Sequence, residues 1–290
     1  GIFKSEDAGK TWKNKGLEKT GRIGRVIVHP SNPNIVYACA LGHVYGPQQE
    51  RGVYRTKDGG KTWEKILFVN ENTGAIDLSM DATNPDILYA GMWQININSW
   101  GLRSGGTSGG VYRSKDGGTT WEPVNEKIFG KKDRPVGKVA VAVSPKNPKV
   151  VYALLELESP ALYRSNDGGD TWTLQSNDHS MAERAPYYTR ITLAPDNENE
   201  IHTICVKHGT SKDGGKTWSW SYQSGGDNHD FWIDPLNPSR MMMAHDGCAS
   251  ISLNHGKSYQ RVVLPIAQMY HVAVDNQVPY NVYGNRQDGY

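Results

Sequence analysis

The stretch TKDGGKTW at residues 56–63 decides the fold, because the chain repeats it with small changes. The other copies are SEDAGKTW at 5–12, SKDGGTTW at 114–121, SNDGGDTW at 165–172 and SKDGGKTW at 211–218, and a degraded copy, SLNHGKSY, begins at 252. A second motif accompanies it at a fixed phase, as in VIVHPSNPNIVYA at 26–38 and VAVSPKNPKVVYA at 141–153. Repeats of about 40–50 residues indicate an array of similar structural units.

Each repeat is predicted to form four short strands. An apolar strand, a Pro/Asn turn and a second apolar strand come first. A variable loop then leads to a third strand such as GVYRT (52–56), the Asp-Gly-Gly turn and a fourth strand that begins at Trp. Four antiparallel strands repeated at this period are typical of β-propeller blades. The chain also has 32 Gly and 15 Pro, which favours short strands and tight turns over long helices. The sequence therefore predicts an all-β protein, a single β-propeller over residues 1–290.

The phase of the two motifs predicts the blades. Five full blades are expected at about 22–64, 74–122, 137–173, 187–219 and 228–260, with half blades at 1–13 and 268–290. If the strands of the two halves paired, they would complete a six-bladed ring. Seven or eight blades would result if the intact protein carried further blades. Because the chain opens without Met, we expect it to have been processed or recorded in part.

The repeated octet predicts a turn rather than a reactive site. Its aspartate can accept hydrogen bonds from N–H groups of the turn, and its glycine supplies a backbone with positive φ. Its tryptophan is suited to fill the gap between neighbouring blades. Each copy has a single box carboxylate, and the copies lie on different blades. We therefore assign a structural role to the five box aspartates, Asp7, Asp58, Asp116, Asp167 and Asp213.

The octet resembles the Asp box, S-x-D-x-G-x-T-W, of sialidases, sortilin-type receptors and xyloglucan-degrading glycoside hydrolases. With GPQQERGVYRTKDGGKTW at 46–63 and ENTGAIDLSMDATNP at 71–85, the chain is similar to a narrower group. These are large secreted bacterial proteins described as sortilin-like or BNR-repeat glycosyl hydrolases. The resemblance implies that the chain is an internal fragment and favours a ring of seven or eight blades. It also implies a secreted, cell-surface or periplasmic location, and a further propeller or a C-terminal domain of the same protein as a partner. Asp boxes occur in proteins of many functions, so the resemblance implies no single reaction.

Charge and hydropathy argue against two classes of partner. With 32 basic and 30 acidic residues and no block of like charges, nucleic-acid binding is not expected. No apolar run approaches the ~18 residues of a membrane span. Cys39, Cys205 and Cys248 show no metal-type spacing, and the first two lie in apolar strands, which predicts buried thiols.

The predicted strand order places all Asp boxes on one face and the variable loops on the other. The long or irregular loops are 40–52, 91–110, 175–188, 245–248 and 285–288. Loops on a rigid scaffold are where binding and catalysis concentrate. We therefore expect the function on this second face.

The first residues of the innermost strands are predicted to form a ring at the mouth of the central channel. These residues are Arg25, Asp77, Ala140, Arg190, Asp230 and His271. Five of the six are ionisable, in strands that are otherwise apolar. One interpretation is a ligand or metal site. The other is that opposite charges neutralise one another around a water-filled channel.

Glycoside hydrolysis needs two carboxylates about 5–10 Å apart, one of them with a raised pKa. The candidates are Asp77, Asp230 and Asp246, with Trp93, Trp100 and Tyr188 as stacking platforms for sugars. A sialidase needs three arginines, and only Arg25 and Arg190 occupy the predicted ring, so sialidase activity is not expected. The xyloglucan-degrading group places its two aspartates on separate propellers, so no residue can be transferred from it.

No cofactor is firmly indicated, although imidazole and carboxylate groups together suit a divalent metal at the channel mouth. The candidate ligands are His229, Asp230, His245, Asp246 and His271.

The preferred function is binding without catalysis, in which the loop-bearing face recognises a glycan, peptide or protein. The alternative is a glycoside hydrolase. Large aromatic and arginine side chains are the usual anchors of such surfaces. The candidate binding residues are Arg25, Arg190, His271, Trp93, Trp100 and Tyr188.

Overall fold

The computed structural model of the chain describes residues 1–130, 134–263 and 268–288, apart from the side chains of 268–271 and 285–288. These residues form five antiparallel blades, each with four strands in a meander, and two separate two-stranded sheets. The same described ranges contain three short helices, which are 3-10 turns at Glu18–Thr20 and His179–Ala182, and α1 at Asn125–Phe129. None of the helices in the described ranges is long and apolar enough to cross a lipid bilayer.

The strands follow the predicted phase. The first two-stranded sheet contains β1 (Phe3–Lys4) and β2 (Lys13–Asn14). Blade 1 contains β3 (Arg22–Val28), β4 (Val36–Gly42), β5 (Gly52–Thr56) and β6 (Glu64–Leu67). Blade 2 contains β7 (Thr73–Met80), β8 (Leu88–Asn98), β10 (Gly110–Ser114) and β11 (Glu122–Pro123), and β9 (Gly101–Ser104) forms a hairpin with the end of β8.

The remaining blades have the same order. Blade 3 contains β12 (Val139–Val143), β13 (Val151–Leu155), β14 (Ala161–Ser165) and β15 (Thr173–Ser176). Blade 4 contains β16 (Arg190–Leu193), β17 (Ile201–Ile204), β18 (His208–Ser211) and β19 (Ser219–Ser221). Blade 5 contains β20 (Asn228–Ile233), β21 (Met241–His245), β22 (Cys248–Ser252) and β23 (Gln260–Val262), and the last sheet contains β24 (Gln268–Val274) and β25 (Val282–Asp288).

The prediction of a sixth blade is wrong for the residues described here, which form five. β1 pairs with β2, and β24 pairs with β25, but no ladder joins the two pairs. The first hairpin is held beside blade 1 instead, where Trp63 donates its indole N–H to the carbonyl of Lys15 at 2.6 Å. Motif spacing counts half blades, but it does not determine whether strands from distant parts of the chain meet.

The Asp boxes have the predicted structure. In blade 1 the carboxylate of Asp58 accepts hydrogen bonds from the Thr62 N–H at 2.9 Å and from the hydroxyls of Thr62 and Thr56 at 2.7 Å. Gly60 has the positive φ of +82° that the turn requires. The box turn also bonds to the Pro/Asn turn of its own blade, because Gly59 donates its N–H to the Asn34 carbonyl at 2.9 Å.

Equivalent bonds between the box turn and the Pro/Asn turn occur in blades 2 to 4, from Gly117, Gly168 and Gly214. Both kinds of turn therefore lie at the same end of each blade, as predicted. We call this end the Asp-box face and the opposite end the loop face.

A tyrosine and an arginine from adjacent strands link each of the first three blades to the next. In blade 1, Tyr37 and Arg55 both donate hydrogen bonds to the carbonyl of Gly117 in the Asp box of blade 2, at 3.0 and 2.6 Å. In blade 2, Tyr89 and Arg113 donate in the same way to Gly168 of blade 3.

In blade 3, Tyr152 bonds to the carbonyl of Glu198 at 2.9 Å, and Arg164 to the side chain of Asn199 at 2.6 Å, both in the Pro/Asn turn of blade 4. We call each of these three pairs a Tyr–Arg clamp.

The core consists of apolar layers between neighbouring blades. Trp121, Trp172 and Trp218 of the Asp boxes pack against the layers that join blades 1 and 2, 2 and 3, and 3 and 4. This confirms for these three boxes the prediction that the tryptophan fills the gap between blades, whereas Trp12 is exposed. Cys39 and Cys205 are buried free thiols, as predicted.

Candidate functional site

β-Bulges precede four of the six predicted ring positions. The ladder shifts register at Gly24, Ile76, His229 and Tyr270, directly before Arg25, Asp77, Asp230 and His271. A bulge breaks the alternation of the strand and re-aims a side chain, and bulges are frequent beside functional sites. The side chains of this ring that the structure describes differ in how many of their polar atoms already have hydrogen-bond partners in the protein.

Asp77 is buried, and both of its carboxylate oxygens have protein partners. Oδ1 accepts hydrogen bonds from Arg25 Nε at 2.9 Å and from the Leu78 N–H at 3.0 Å. Oδ2 accepts the N–H of Val141 in blade 3 at 3.0 Å. The carboxylate raises the pKa of Arg25. Asp77 thus joins blades 1, 2 and 3, which supports the charge-neutralising interpretation of this part of the ring.

Arg190 reaches across from blade 4 and donates to the carbonyl of Gly24 in blade 1 at 3.3 Å. Asp230 is exposed, and its Oδ1 accepts the N–H of Phe231 at 3.0 Å. Asp230 therefore has the same local bulge geometry as Asp77 without the burial. The side chain of His271, the last ionisable ring residue, lies outside the described residues.

Lys138, which the sequence did not suggest, lies close to the ring. Its ammonium donates to the carbonyls of Tyr187 and Tyr188 and lies 5.6 Å from the centre of the Trp93 ring. Burial lowers the pKa of Lys138 to about 8. Trp93 itself is 3% exposed and donates its indole N–H to Ser104 at 2.9 Å. The structure therefore places this predicted sugar platform in the interior.

A group of aromatic and ionisable side chains lies on the loop face where blades 4 and 5 meet. It consists of Tyr187, Tyr188, Asp227, His229 and Asp246, and we call it the rim cluster. His229 Nε2 lies 2.6 Å from Asp246 Oδ1, and the ring of His229 lies 5.4 Å from that of Tyr188. Burial and a hydrogen bond with Asp227 raise the pKa of Tyr188. Three predicted site residues, Tyr188, His229 and Asp246, thus lie together.

The predicted metal ligands are not grouped around one point in the described part of the chain. His245 is buried, with Nε2 at 3.0 Å from the hydroxyl of Ser250 and Nδ1 accepting the Gly247 N–H at 3.1 Å. No three described His, Cys, Asp or Glu side chains are placed to hold a metal ion. A metal site that includes His271 stays a prediction.

The hairpin β8–β9 carries a feature that sequence reasoning missed. Gln94, Asn96 and Asn98 alternate along β8, so their amides share one face of the hairpin, and we call them the amide stripe. They line a cavity of about 370 Å³, together with Asn72 and Arg103. Trp100, a predicted platform, lies at the turn of the hairpin and is 87% exposed. The alternation Q-I-N-I-N at 94–98 was the available signal.

The opposite face of the hairpin fixes the amide stripe in place. Ile95 packs with Leu41, Val44 and Trp93, and the Ile97 N–H donates to the carbonyl of Val44 at 2.7 Å. Arg51, which is fully buried, supports the same region. It donates to the carbonyls of Asn72 at 2.7 Å, Ile95 at 3.2 Å and His43 at 2.9 Å. The stripe is therefore held on a packed support.

Comparison with known proteins agrees with the fold. Residues 54–65 and 112–123 match the family described as BNR/Asp-box repeat. The xyloglucanase Xgh74A of Acetivibrio thermocellus is 28% identical over 174 residues, which cover 52% of this chain and 19% of that protein. Vacuolar protein sorting/targeting protein 10 of Sordaria macrospora is 33% identical over 94 residues, which cover 31% of this chain and 6% of that protein.

A solved structure extends the likeness over most of the chain. The crystal structure of an ancestral GH74 enzyme superposes with a TM-score of 0.62 at 15% identity, covering 90% of this chain and 35% of that one. At this identity the likeness shows the fold alone, and the chain spans well under two thirds of each of these proteins. The chain is a β-propeller built from BNR/Asp-box repeats, similar in sequence to xyloglucanases and to a Vps10 sorting protein.

Proposed function

We propose that this propeller is a recognition module whose loop face binds an uncharged glycan, with the amide stripe as the binding surface and Trp100 as a stacking platform. The observation that carries the proposal is the row of three amides in one cavity beside an exposed tryptophan. An amide both donates and accepts hydrogen bonds, as a sugar hydroxyl does. An exposed indole supplies a flat apolar surface for the face of a sugar ring.

The hydrogen bonds of Asp77 favour binding over hydrolysis. A glycosidase needs carboxylates that are free to act on the substrate, whereas Asp77 is engaged on both oxygens by Arg25 and by the backbone. Recognition needs only the polar groups that the amide stripe presents.

The test is affinity electrophoresis and calorimetry with soluble neutral polysaccharides, including xyloglucan, mixed-linkage glucan and galactomannan. Asn96→Ala should weaken binding about fivefold, because it removes roughly 1 kcal/mol of hydrogen bonding. Trp100→Ala should weaken it at least as much, through loss of the stacking surface.

The matched control is Trp12→Ala, since Trp12 is also exposed but belongs to an Asp box. Its substitution should leave glycan affinity unchanged. The proposal fails if no neutral polysaccharide binds, or if the Trp12 and Trp100 variants lose affinity equally. Binding to a peptide array with no glycan binding would instead favour a protein ligand.

The alternative function, a glycoside hydrolase, is favoured by the similarity to xyloglucanases over about half of the chain. Asp230 and Asp246 are the exposed candidate acids. If the chain is a hydrolase, xyloglucan should release reducing sugar and Asp230→Asn should abolish the release. Either function acts on polysaccharide, so we propose a secreted or cell-surface location.

A further inference from the structure

The junction between blades 4 and 5 lacks the Tyr–Arg clamp of the earlier junctions. The clamp residues are cross-strand partners, Tyr37 with Arg55, Tyr89 with Arg113 and Tyr152 with Arg164. At the same register in blade 4, His202 is paired with Thr210. A titratable ring and a short hydroxyl thus replace a phenol and a guanidinium.

The partner across this junction has changed as well. In the degraded box of blade 5, His255 occupies the position at which Gly117 and Gly168 present their carbonyls to a clamp. The His255 ring instead places Nε2 at 2.7 Å from Glu200 Oε1 of blade 4. The same oxygen lies 3.3 Å from His202 Nε2. The contact between the His255 imidazole and the Glu200 carboxylate has therefore taken the place of the clamp between the two blades.

A second histidine lies behind the first. His202 Nδ1 lies 2.9 Å from His208 Nε2, and Phe231 of blade 5 covers both rings at centroid distances of 4.8 and 4.9 Å. One proton lies between these two nitrogens, because one must donate and the other accept. If both rings were protonated, two N–H groups would face each other at this distance. The closed junction therefore disfavours the state in which both His202 and His208 are protonated.

We propose that the junction between blades 4 and 5 is an acid-labile joint, in which proton uptake by His202 and His208 opens the contact while the three Tyr–Arg junctions stay closed. The proposal goes beyond glycan recognition, since the amide stripe lies on blade 2. It concerns the rim cluster, whose residues come from the connections and strands on either side of this junction.

Other titratable groups surround the pair. Glu200 contacts His202 directly, His255 faces it across the junction, and Lys212 disfavours its protonated form. The ring of Tyr259 lies 6.4 Å from that of His208, and burial raises the pKa of this tyrosine to about 12. Glu200 supplies the opposing negative charge, and its histidine partners help to lower its pKa to about 2.

The direction of the pH effect follows from burial. Burial lowers the pKa of His202, and that of His208 to about 3, so the closed joint binds fewer protons than an open one. Its stability is complete above about pH 6.5, the ordinary pKa of histidine, and falls as the pH drops toward 3. Glu200 also destabilises the closed joint as the pH falls below the ordinary pKa of glutamate, because its pKa is lowered in the closed joint. At pH 5, each histidine that stays neutral in the closed joint raises the opening constant about 30-fold.

The experiment is hydrogen–deuterium exchange of the whole chain between pH 7.5 and 5, with protection factors corrected for intrinsic rates. Protection of 228–252 in blade 5 should fall at least about 30-fold at pH 5 relative to 139–165 in blade 3. Equal pH dependence in the two segments would overturn the proposal.

Two variants test the cause. The double substitution His202→Tyr with Thr210→Arg restores the clamp residues and should reduce the extra acid sensitivity of blade 5 by the share of His202, leaving the share of His208. His208→Gln removes one of the two rings. At pH 5 it should reduce the extra loss of protection in blade 5 by about 30-fold, the contribution of one histidine. The exposed His179→Gln is the control and should behave as wild type. If His208→Gln retains the full acid sensitivity, the histidine pair is not its cause.

Discussion

The Asp-box face and the loop face are built by the same strands, yet they use their polar groups in opposite ways. On the Asp-box face, carboxylates, phenols and guanidiniums bond to nearby backbone, as Asp58 does within its turn and Arg55 does across a junction. On the loop face, Asn98 and Asp230 are exposed and Gln94 and Asn96 are partly exposed, whereas Asp77 is buried and links three blades. The Asp-box face therefore holds the blades together, while the loop face combines one such link with side chains that keep free hydrogen-bonding capacity. Matched substitutions, between the two faces and within the loop face, should separate these roles.

The largest difference in stability loss is expected between substitutions of two arginines. Arg113 is buried and bonds to the Gly168 carbonyl, Glu122 and Asp170, whereas Arg103 is exposed beside the amide stripe. Arg113→Met should lower the free energy of unfolding by about 3 kcal/mol, because it removes a buried, multiply bonded charge. Arg103→Met should change it by less than about 0.5 kcal/mol. Urea denaturation measures both, and similar losses would contradict the division between the faces.

A smaller contrast is expected between two aspartates of the predicted ring. Asp77→Asn turns an N–H₂ group toward either Arg25 or the Val141 N–H and should cost about 2 kcal/mol of stability. Asp230→Asn, at the same position of an exposed bulge, should cost less than about 0.5 kcal/mol. Thermal denaturation with circular dichroism measures the difference. If the two variants melt together, Asp77 is not the link between blades described above.

The smallest contrast is expected between two glycines. Gly60, on the Asp-box face, has a φ of +82°, and an added Cβ would lie 2.9 Å from Lys15 Cβ. Gly60→Ala should cost about 1 kcal/mol, or about 2 °C in Tm. Gly46, in a loop of the opposite face, has open space around it, and Gly46→Ala should leave Tm unchanged. Equal shifts would show that loop backbone is as constrained as the box turn.

What the sequence predicted correctly depends on contacts between near neighbours. The box turn involves only eight residues, so the bonds of Asp58 to Thr62 followed from the residue types alone. The Tyr–Arg clamp was not predicted, because Tyr37 and Arg55 meet a backbone carbonyl of Gly117 that no side-chain pattern marks.

The same limit applies to the candidate site. The ring position of Asp77 was predicted from the phase of the repeat, but its occupation by the Val141 N–H, 64 positions away, was not. For the amide stripe, the alternation at 94–98 lies in the sequence, but the cavity also needs Asn72 from the preceding loop. The sequence therefore predicted the residue types at each position. It did not predict their hydrogen-bond partners, because the fold brings those partners from distant positions.

The Tyr–Arg clamp gives the propeller a direction. In blades 1 and 2 the donors lie in one blade and the accepting glycine carbonyl in the next, so blade 2 carries both a donor end and an acceptor end. A tandem duplication of one such unit would bring a matching junction with it. Such an array can lengthen without a new interface having to arise. A copy can still lose this match, as in blade 5, where His255 stands in place of the accepting glycine and the clamp is absent.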